Sequence, residues 1–255
     1  TKHLVRRPGI YIMHDNARMD PAKFPQAQGT WSGSNGLFFW DELEPSEGAY
    51  NWTPIDNFLA SAVRLGVTPS LGIHIMEGGG ERVPDWVFNQ AGAGKFRCTW
   101  DVPKYWDAIF LQKLDNFVRA LAARYDNDPR LEWIQIGTGI YGETQPSIDG
   151  DDACVKAAIQ ADFPQYDPGG VWVGAVNNIT RIYGEAFRNK PVLLQFAPTF
   201  MHMCERKWTT MYAASLGVGM KNNGLRWDDD PAYIPQPHPL AGCGFYDPYG
   251  LYGDR

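Results

Sequence analysis

The middle of this sequence contains one stretch that changes character along its length, Leu131-Glu132-Trp133-Ile134-Gln135-Ile136-Gly137-Thr138-Gly139-Ile140-Tyr141-Gly142-Glu143. Its first half is largely apolar, and its length and β-branched residues predict a strand that is buried on both faces. Its second half is rich in glycine, which lets the backbone leave the strand sharply. Glu143 therefore follows the C-terminal end of the strand, which is the end that holds the chemistry in an α/β barrel.

Strand and helix signals alternate on both sides of this stretch. Apolar runs predict strands, and apolar residues at helical spacing predict helices. The further strands are expected at 9–13, 36–40, 68–75, 191–196 and 217–221, and the helices at 53–65, 110–125, 171–188 and 207–216. Such alternation is typical of a parallel sheet with right-handed crossovers. We predict an α/β fold of the (β/α)8 TIM-barrel type, with about six strand–helix units readable.

A doubly wound sheet is the alternative fold, and the absence of a glycine-rich phosphate loop after the first strand disfavours it. The same absence argues against a nucleotide-dependent α/β enzyme. The predicted helix at 53–65 has clear end signals, with Thr53 as the expected N-cap, Pro54 at the first helical position and Gly66 at the C-terminus. Its expected buried stripe is Ile55, Phe58, Leu59, Ala62 and Val63.

The composition limits the kinds of molecule that this protein is expected to bind. A net charge of -6 without a long basic run argues against nucleic acid, and no apolar stretch is long enough to span a bilayer. Aromatic residues make up 14% of the chain, with 10 Trp and 12 Tyr. Flat rings with a polar edge suit sugar rings, although a large aromatic core explains the composition equally well. We predict a carbohydrate partner and neither a metal nor a cofactor.

Several motifs together resemble clan A glycoside hydrolases, in particular β-galactosidase-like barrels and bacterial glycosidase-like barrels of unassigned function. The segment after the second predicted strand reads Trp40-x3-Glu44-Pro45-x-Glu47-Gly48-x-Tyr50-x-Trp52, followed by Ile55-Asp56. The other matching segments are Val83-Pro84-Asp85-Trp86, Arg124-Tyr125-x-x-Asp128-Pro129 and Gly142-Glu143. The resemblance extends from about residue 9 to residue 223, which is most of the chain.

The resemblance implies that Glu143 is the general acid/base of a glycoside hydrolase acting on a β-linked oligo- or polysaccharide. Two features depart from the family pattern. Gly142 stands where the family usually has Asn, and no Glu follows Glu205, so the second catalytic carboxylate is not identifiable. The alternatives are a structural turn carboxylate at Glu143 and a non-catalytic barrel that serves carbohydrate binding or an extracellular assembly.

Five further residues are candidates for sugar binding: His74, Trp40, Tyr141, Asn222 and Asn223. His74 ends the third predicted strand and could instead be a satisfied core histidine, or could support Glu143. Core packing is the favoured alternative for Trp40, and turn formation is the alternative for the two asparagines. Glu44 and Glu47 are expected to be loop residues, with Glu44 as a potential partner of a base. The run 228–230 is read as a solvated acidic loop, with Ca²⁺ binding or replacement of the second carboxylate as the alternatives.

The four cysteines are Cys98, Cys154, Cys204 and Cys243. On the predicted strand map they lie on loops at one face, so we predict Cys98–Cys154 and Cys204–Cys243 disulfides, which limit the closure entropy of long loops. Such bonds imply an extracellular or periplasmic protein. Four buried thiols and a four-cysteine zinc site are the alternatives. Sequons at Asn51 and Asn178 fit a glycoprotein.

Residues 1–255 are expected to form a single barrel domain that lacks its last two strand–helix units. The region from Trp227 onward is too poor in apolar runs to supply them. An open six-stranded sheet would expose unpaired edges. We therefore expect that the natural chain continues past Arg255, or that a partner chain, as in a homo-oligomer, covers those edges.

Overall fold

The computed structural model describes residues 11–15, 33–196, 200 and 204–222. Its main sheet has six parallel strands whose spatial order follows the sequence, β1-β2-β3-β8-β9-β10. These strands are β1 (Tyr11–Asp15), β2 (Gly33–Phe39), β3 (Thr68–His74), β8 (Ile134–Ile136), β9 (Val192–Phe196) and β10 (Gly219–Asn222). A doubly wound sheet reverses its strand order at a switch point, and this order never reverses. The predicted barrel-type α/β fold is confirmed, in a form that does not close into a ring over the described residues.

From β2 onward, the connections between these strands contain helices, as the alternation predicted. The helices are α1 (Trp40–Leu43), α2 (Thr53–Leu65), α3 (Asp85–Asn89), α4 (Ala108–Tyr125), α5 (Asp152–Asp162), α6 (Pro168–Ala186) and α7 (Cys204–Ser215). The long connection from β3 to β8 also holds two antiparallel hairpins, β4 (Met76–Glu77) with β5 (Gly80–Glu81) and β6 (Lys95–Arg97) with β7 (Asp101–Pro103). None of the helices in the described ranges is long and apolar enough to cross a membrane.

Helix α2 shows how closely local signals set the ends of an element. Gly66 adopts φ 68° at its C-terminus, a left-handed conformation that glycine reaches at little cost. Thr53 is not the cap, however, because the helix includes it and the preceding Trp52 occupies the N-cap without a side-chain hydrogen bond. Val63 is also not part of the buried stripe: it is 57% exposed, since ~100° per residue places it at the edge of the apolar face.

Helix α4 carries a long apolar stripe, and most of that stripe is buried, in agreement with the helical spacing of its apolar residues. Its buried residues are Phe110, Leu114, Phe117, Val118, Leu121, Ala122 and Tyr125. The helix begins slightly before the stripe because Asp107 caps it, accepting hydrogen bonds from the backbone N–H groups of Ile109 (2.8 Å) and Phe110 (3.0 Å). It ends at Tyr125, directly before the predicted stop at Asp126.

Several predicted boundaries were wrong. Strand β2 begins three residues earlier than expected, β1 extends to Asp15, and β8 contains only 134–136 of its apolar run. Helix α5 was expected to be loop, because only two of its residues, Val155 and Ile159, are buried and its stripe is correspondingly weak. The two hairpins were also read as loop, since strands of two or three residues leave no periodic pattern.

The motif after the second strand has a structural role. Trp40 is fully buried and lies 5.5 Å from Phe117 and 6.4 Å from Trp86, measured between ring centroids. Its indole Nε1 donates a 2.7 Å hydrogen bond to Glu44, which also accepts one from the backbone N–H of Gly48. Trp40 therefore has no ring face for a sugar, so its assignment to substrate binding was wrong. Glu44 is a loop residue directly after α1, as expected, but its carboxylate is bound by Trp40 and Gly48 and not by the expected base; it is 2% exposed, and burial raises its pKa.

Two other segments of the resemblance contact each other directly. Arg124 Nη2 lies 2.5 Å from Asp56 Oδ2, and the Tyr125 hydroxyl donates a 2.9 Å hydrogen bond to Asp56 Oδ1. These contacts join the end of α4 to the start of α2. Glu47, by contrast, forms a surface ion pair of 2.7 Å with Lys113, in keeping with its reading as a loop residue.

The predicted Cys98–Cys154 disulfide is present, with the two Cα atoms 5.9 Å apart. Cys204 is also disulfide-bonded, and its predicted partner Cys243 lies outside the described residues. For these three cysteines the free-thiol and zinc alternatives are wrong. Two positions need correction, because Cys154 lies in α5 and Cys204 begins α7, whereas both were placed on loops.

Candidate functional site

Glu143 lies at the end of the turn that follows β8 and is half-buried. Hydrogen bonds within the turn fix its backbone: its carbonyl accepts from Gly139 N at 2.8 Å and from Thr138 Oγ1 at 2.5 Å. Tyr141 adopts φ 56°, the one left-handed non-glycine residue in the described chain. Such backbone strain persists only where the surroundings over-determine it, and it is frequent at functional sites.

Gly142 has no room for a side chain. Its φ is 72°, and a Cβ there would approach His74 Nε2 to 2.7 Å and Gln135 Nε2 to 2.9 Å. These distances are shorter than any real Cβ contact allows. The departure from the family pattern at this position thus has a physical cause, because His74 and Gln135 fill the space that an Asn side chain would need.

The side chain of Glu143 is held by β9. Its Oε1 accepts a 3.3 Å hydrogen bond from Nε2 of Gln195, a fully buried residue near the end of that strand. The same Nε2 donates to the Tyr141 carbonyl at 3.1 Å. Gln195 thereby fixes both the backbone of the turn and the carboxylate that ends it.

Gln195 is the last member of a chain of buried side chains that crosses four strands. Ser70 Oγ donates to Asn35 Oδ1 (3.1 Å), and Asn35 Nδ2 donates to Gln135 Oε1 (2.8 Å). Gln135 Nε2 in turn donates to Gln195 Oε1 at 2.6 Å. All the bonds run in one direction and end on Glu143; this set, Ser70, Asn35, Gln135 and Gln195, is called the amide chain below.

Sheet register explains how the amide chain assembles. Asn35 pairs with Ser70, and Gly72 pairs with Gln135, so these residues share one face of the sheet. Asn35 on β2 has to reach across β3 to contact Gln135 on β8. It can do so because β3 has Gly72 at the crossing, where a Cβ would lie 2.8 Å from Leu37 Cδ2 and 3.3 Å from Gln135 Oε1.

Lys221 on β10 supplies a cation to the same cluster. Its Nζ donates to Gln195 Oε1 (2.5 Å) and to Gln135 Oε1 (3.0 Å). Burial lowers the pKa of Lys221 to about 8, an effect that the negative charge of Glu143 opposes. The ammonium is therefore close enough to Glu143 to interact with it electrostatically.

His74 ends β3, as predicted, and is buried. Its Nδ1 pairs with Glu77, and its Nε2 lies 3.3 Å from Gln135 Nε2. His74 thus contacts the amide chain at Gln135, and its support of Glu143 stays a prediction. Tyr141 is 42% exposed at the site and presents an aromatic side chain to solvent.

The two predicted asparagines are only partly covered by the structure. Asn222 ends β10, opposite Phe196 in the sheet register, and nothing further is described of its side chain. Asn223 and the run 228–230 lie outside the described residues. Within the described ranges, no group of three or more His, Cys, Asp or Glu side chains could hold a metal ion.

Sequence reasoning missed Gln135, Gln195 and Lys221. A signal for the first two exists, because each places one polar residue inside an apolar strand, in Ile134-Gln135-Ile136 and Leu194-Gln195-Phe196. A buried amide needs hydrogen-bond partners, so two such residues in neighbouring strands indicate a polar cluster. Lys221 carries no comparable signal, since lysine is ordinary at the end of a strand.

No family model and no curated protein matches the chain. Solved structures are similar in fold. The catalytic domain of β-amylase from Paenibacillus polymyxa aligns with a TM-score of 0.60 at 9% identity, over 84% of this chain and 76% of that one. A β-galactosidase from the Antarctic haloarchaeon Halorubrum lacusprofundi aligns with a TM-score of 0.56 at 10% identity, over 92% of this chain. A β-galactosidase from the psychrophilic Marinomonas ef1 gives 0.51 at 10% identity, over 78% of this chain.

This chain spans 43% and 39% of the two β-galactosidases, respectively. At such low identity the similarity concerns the fold. It agrees with the parallel strand order of the sheet. The chain therefore has an α/β fold of the TIM-barrel type.

Proposed function

We propose that this protein is a glycoside hydrolase that acts on a β-linked oligo- or polysaccharide, with Glu143 in general acid/base catalysis. The observation that carries the proposal is the placement of Glu143, half-buried after β8 with its carboxylate oriented by Gln195. Two barrels of similar fold are β-galactosidases by name and a third is a β-amylase, which supports a glycoside as the substrate.

The reaction requires proton transfer to the glycosidic oxygen, proton removal from the attacking water, and a second carboxylate across the sugar ring. The proposal assigns one of these two carboxylates, Glu143. Tyr141 lies two residues before it with an exposed ring, which suits stacking on a sugar face. His74 is buried behind Gly142, so we assign it to support of the site, in preference to direct sugar contact.

The test is the Glu143→Gln variant, measured on a panel of β-linked oligosaccharides and activated aryl glycosides. We expect hydrolysis of the oligosaccharides to fall by about 10²–10⁴-fold, because poor leaving groups depend most on proton transfer. Aryl glycosides with good leaving groups should lose less. Glu47→Gln is the matched control, since Glu47 forms a surface ion pair away from the site. Unchanged turnover in Glu143→Gln, with an intact fold, would exclude the assignment.

A non-catalytic carbohydrate-binding barrel is the second candidate. The presence of Lys221 beside Glu143, and the filled space at Gly142, are the observations that favour it. Calorimetry with the same oligosaccharides distinguishes the two candidates. Binding that Tyr141→Ala abolishes, with no turnover by the wild type, would support the binding function.

We further propose that the protein works outside the cytoplasm, in an extracellular or periplasmic compartment. The Cys98–Cys154 bond supports this, because structural disulfides persist mainly in oxidising compartments. Both sequon asparagines, Asn51 and Asn178, are exposed, as glycosylation would require. Alkylation of native material without reduction, followed by peptide mass spectrometry, tests the bonds and the glycans together.

A further inference from the structure

We propose that Gln195 and Lys221 are positioning residues that hold Glu143 in its ionised form and fix the direction of its carboxylate. The inference deepens the proposed function and rests on it for the role of Glu143 in a reaction. The ionisation itself can be measured without any substrate.

The orientation of the Gln195 amide is determined by its partners. Its Oε1 faces two donors, Lys221 Nζ at 2.5 Å and Gln135 Nε2 at 2.6 Å. A reversed amide would set an NH₂ group against both of them. The Nε2 must therefore point the other way, where it meets the Tyr141 carbonyl and Glu143 Oε1. Glu143 thus has a fixed N–H donor and not an acceptor.

Lys221 is the residue that makes this direction unambiguous. An ammonium has three donors and no acceptor, so both of the amide oxygens that it contacts must face it. These are the oxygens of Gln195 and Gln135, the two adjacent members of the amide chain. Asn35 adds a donor to the Gln135 oxygen at 2.8 Å, which is consistent with the same orientation.

Gln195 and Lys221 act on Glu143 in the same sense, Gln195 through a hydrogen bond and Lys221 through its charge. An N–H donor and a nearby cation each stabilise a carboxylate over the corresponding acid, whereas burial alone would favour the acid. The other titratable groups near the turn include His74 on β3 with its partner Glu77 on β4, and Tyr141 in the turn itself. The arrangement therefore favours the carboxylate form of Glu143 in the free protein.

The experiment is a ¹³C NMR titration of protein labelled at the glutamate side-chain carboxyl, with Glu143→Gln used to assign the resonance. Lys221→Met keeps the apolar stem of the side chain and removes the charge. We expect it to raise the titration midpoint of Glu143 by about one pH unit or more, and Lys221→Arg to restore most of the shift. Lys113→Met is the matched control, because it removes a surface ion pair with Glu47, and it should leave the midpoint unchanged.

A second variant, Gln195→Leu, removes the donor and keeps Lys221, and it should also raise the midpoint. Thermal melts identify any variant that does not fold, and the remaining variant then decides the question. Equal midpoints in the wild type, Lys221→Met and Gln195→Leu would overturn the inference. If the variants raise the midpoint but the wild type hydrolyses no glycoside, the inference stands and the proposed function is excluded. If turnover depends on Glu143 but the midpoints are equal, the proposed function stands and the inference is excluded.

Discussion

Gly142 has a left-handed backbone conformation, and neighbouring side chains occupy the space where a Cβ would lie. Each of these two features would lower the stability of a variant that carries a side chain here. Its φ of 72° disfavours any L side chain, and the His74 and Gln135 nitrogens occupy the position of a Cβ. Gly48 offers a close match, since its φ is 73° and a Cβ there would meet nothing within 4 Å. The two glycines thus separate backbone strain from steric overlap.

We predict that Gly48→Ala lowers the free energy of unfolding by about 1–2 kcal/mol, the cost of the left-handed conformation alone. Gly142→Ala should lose about 1–3 kcal/mol more, because overpacking is added to the same strain. Urea unfolding of both variants provides the measurement. Equal losses would mean that His74 and Gln135 move aside freely, which would contradict the packing described around Glu143.

At the residue scale, the sequence predicted where a residue lies in the sheet better than it predicted which side chains that residue contacts. Glu143 and His74 could be placed because a residue that follows a parallel strand lies at the C-terminal edge of the sheet. The contacts of Gln135 and Gln195 could not, since they depend on which strands are neighbours and in which register. The role of Gly72, which lets Asn35 reach across β3, is visible only once that register is known.

Helix α4 is the longest helix after α6 in the described ranges, and one side chain caps its N-terminus. Asp107 accepts two hydrogen bonds from the first turn, and its other oxygen accepts a 3.3 Å bond from Gly94 N. The cap therefore also ties the helix to the loop that precedes β6. An alanine at this position would leave these N–H groups without their acceptor.

We predict that Asp107→Ala lowers the free energy of unfolding by about 1–2 kcal/mol and that Asp107→Asn retains most of the stability, because Asn is also a good cap. Asp115→Ala is the matched control on the same helix. Its side chain pairs with Arg119 at the surface, so its loss should cost only about 0.5 kcal/mol. Chemical denaturation measures all three, and similar losses for Asp107→Ala and Asp115→Ala would contradict the assigned cap.

At the element scale, predictability followed the strength of the apolar pattern. Helices α2 and α4 were predicted because four or more apolar residues recur on one face of each. Helix α5 was missed because its polar sequence buries two residues only, and tertiary packing, together with the disulfide at Cys154, supports it. Local sequence signals do not report support of that kind.

The disulfide joins two parts of the molecule that are far apart in sequence. Cys98 lies between β6 and β7, and Cys154 lies in α5, 56 residues later. Thr99 forms a second tie between the same regions, with its hydroxyl 2.8 Å from Asp151 Oδ1. The covalent tie restricts the unfolded chain, whereas the hydrogen bond acts only in the folded state.

We predict that Cys98→Ser combined with Cys154→Ser lowers the free energy of unfolding by about 4 kcal/mol, the entropy of closing a loop of this length. For a protein of this size the melting temperature should fall by roughly 10 °C. Thr99→Val should cost only about 1 kcal/mol, which is the net value of one hydrogen bond. Scanning calorimetry compares them, and a double variant no less stable than Thr99→Val would contradict the prediction.

At the scale of the whole molecule, the alternation of strands and helices was enough to predict a barrel-type sheet, because few topologies satisfy it. Whether the sheet closes into a barrel could not be predicted from this alternation, since closure depends on the number of strands and on their register together. The expectation of two further strand–helix units therefore stays a prediction, which the mass of the native protein tests.

The one-way order of the amide chain also has an electrical consequence. Its members point head to tail from Ser70 to Gln195, so their dipoles add, and the positive end of the sum faces Glu143, as in the first turn of a helix. No member can reverse alone, and the Tyr141 carbonyl, which can only accept, fixes the Gln195 end of the row. A protonated Lys221 supports the same polarity because it can only donate. Above its pKa of about 8 the amine is neutral, and the row loses the charge that supports its polarity.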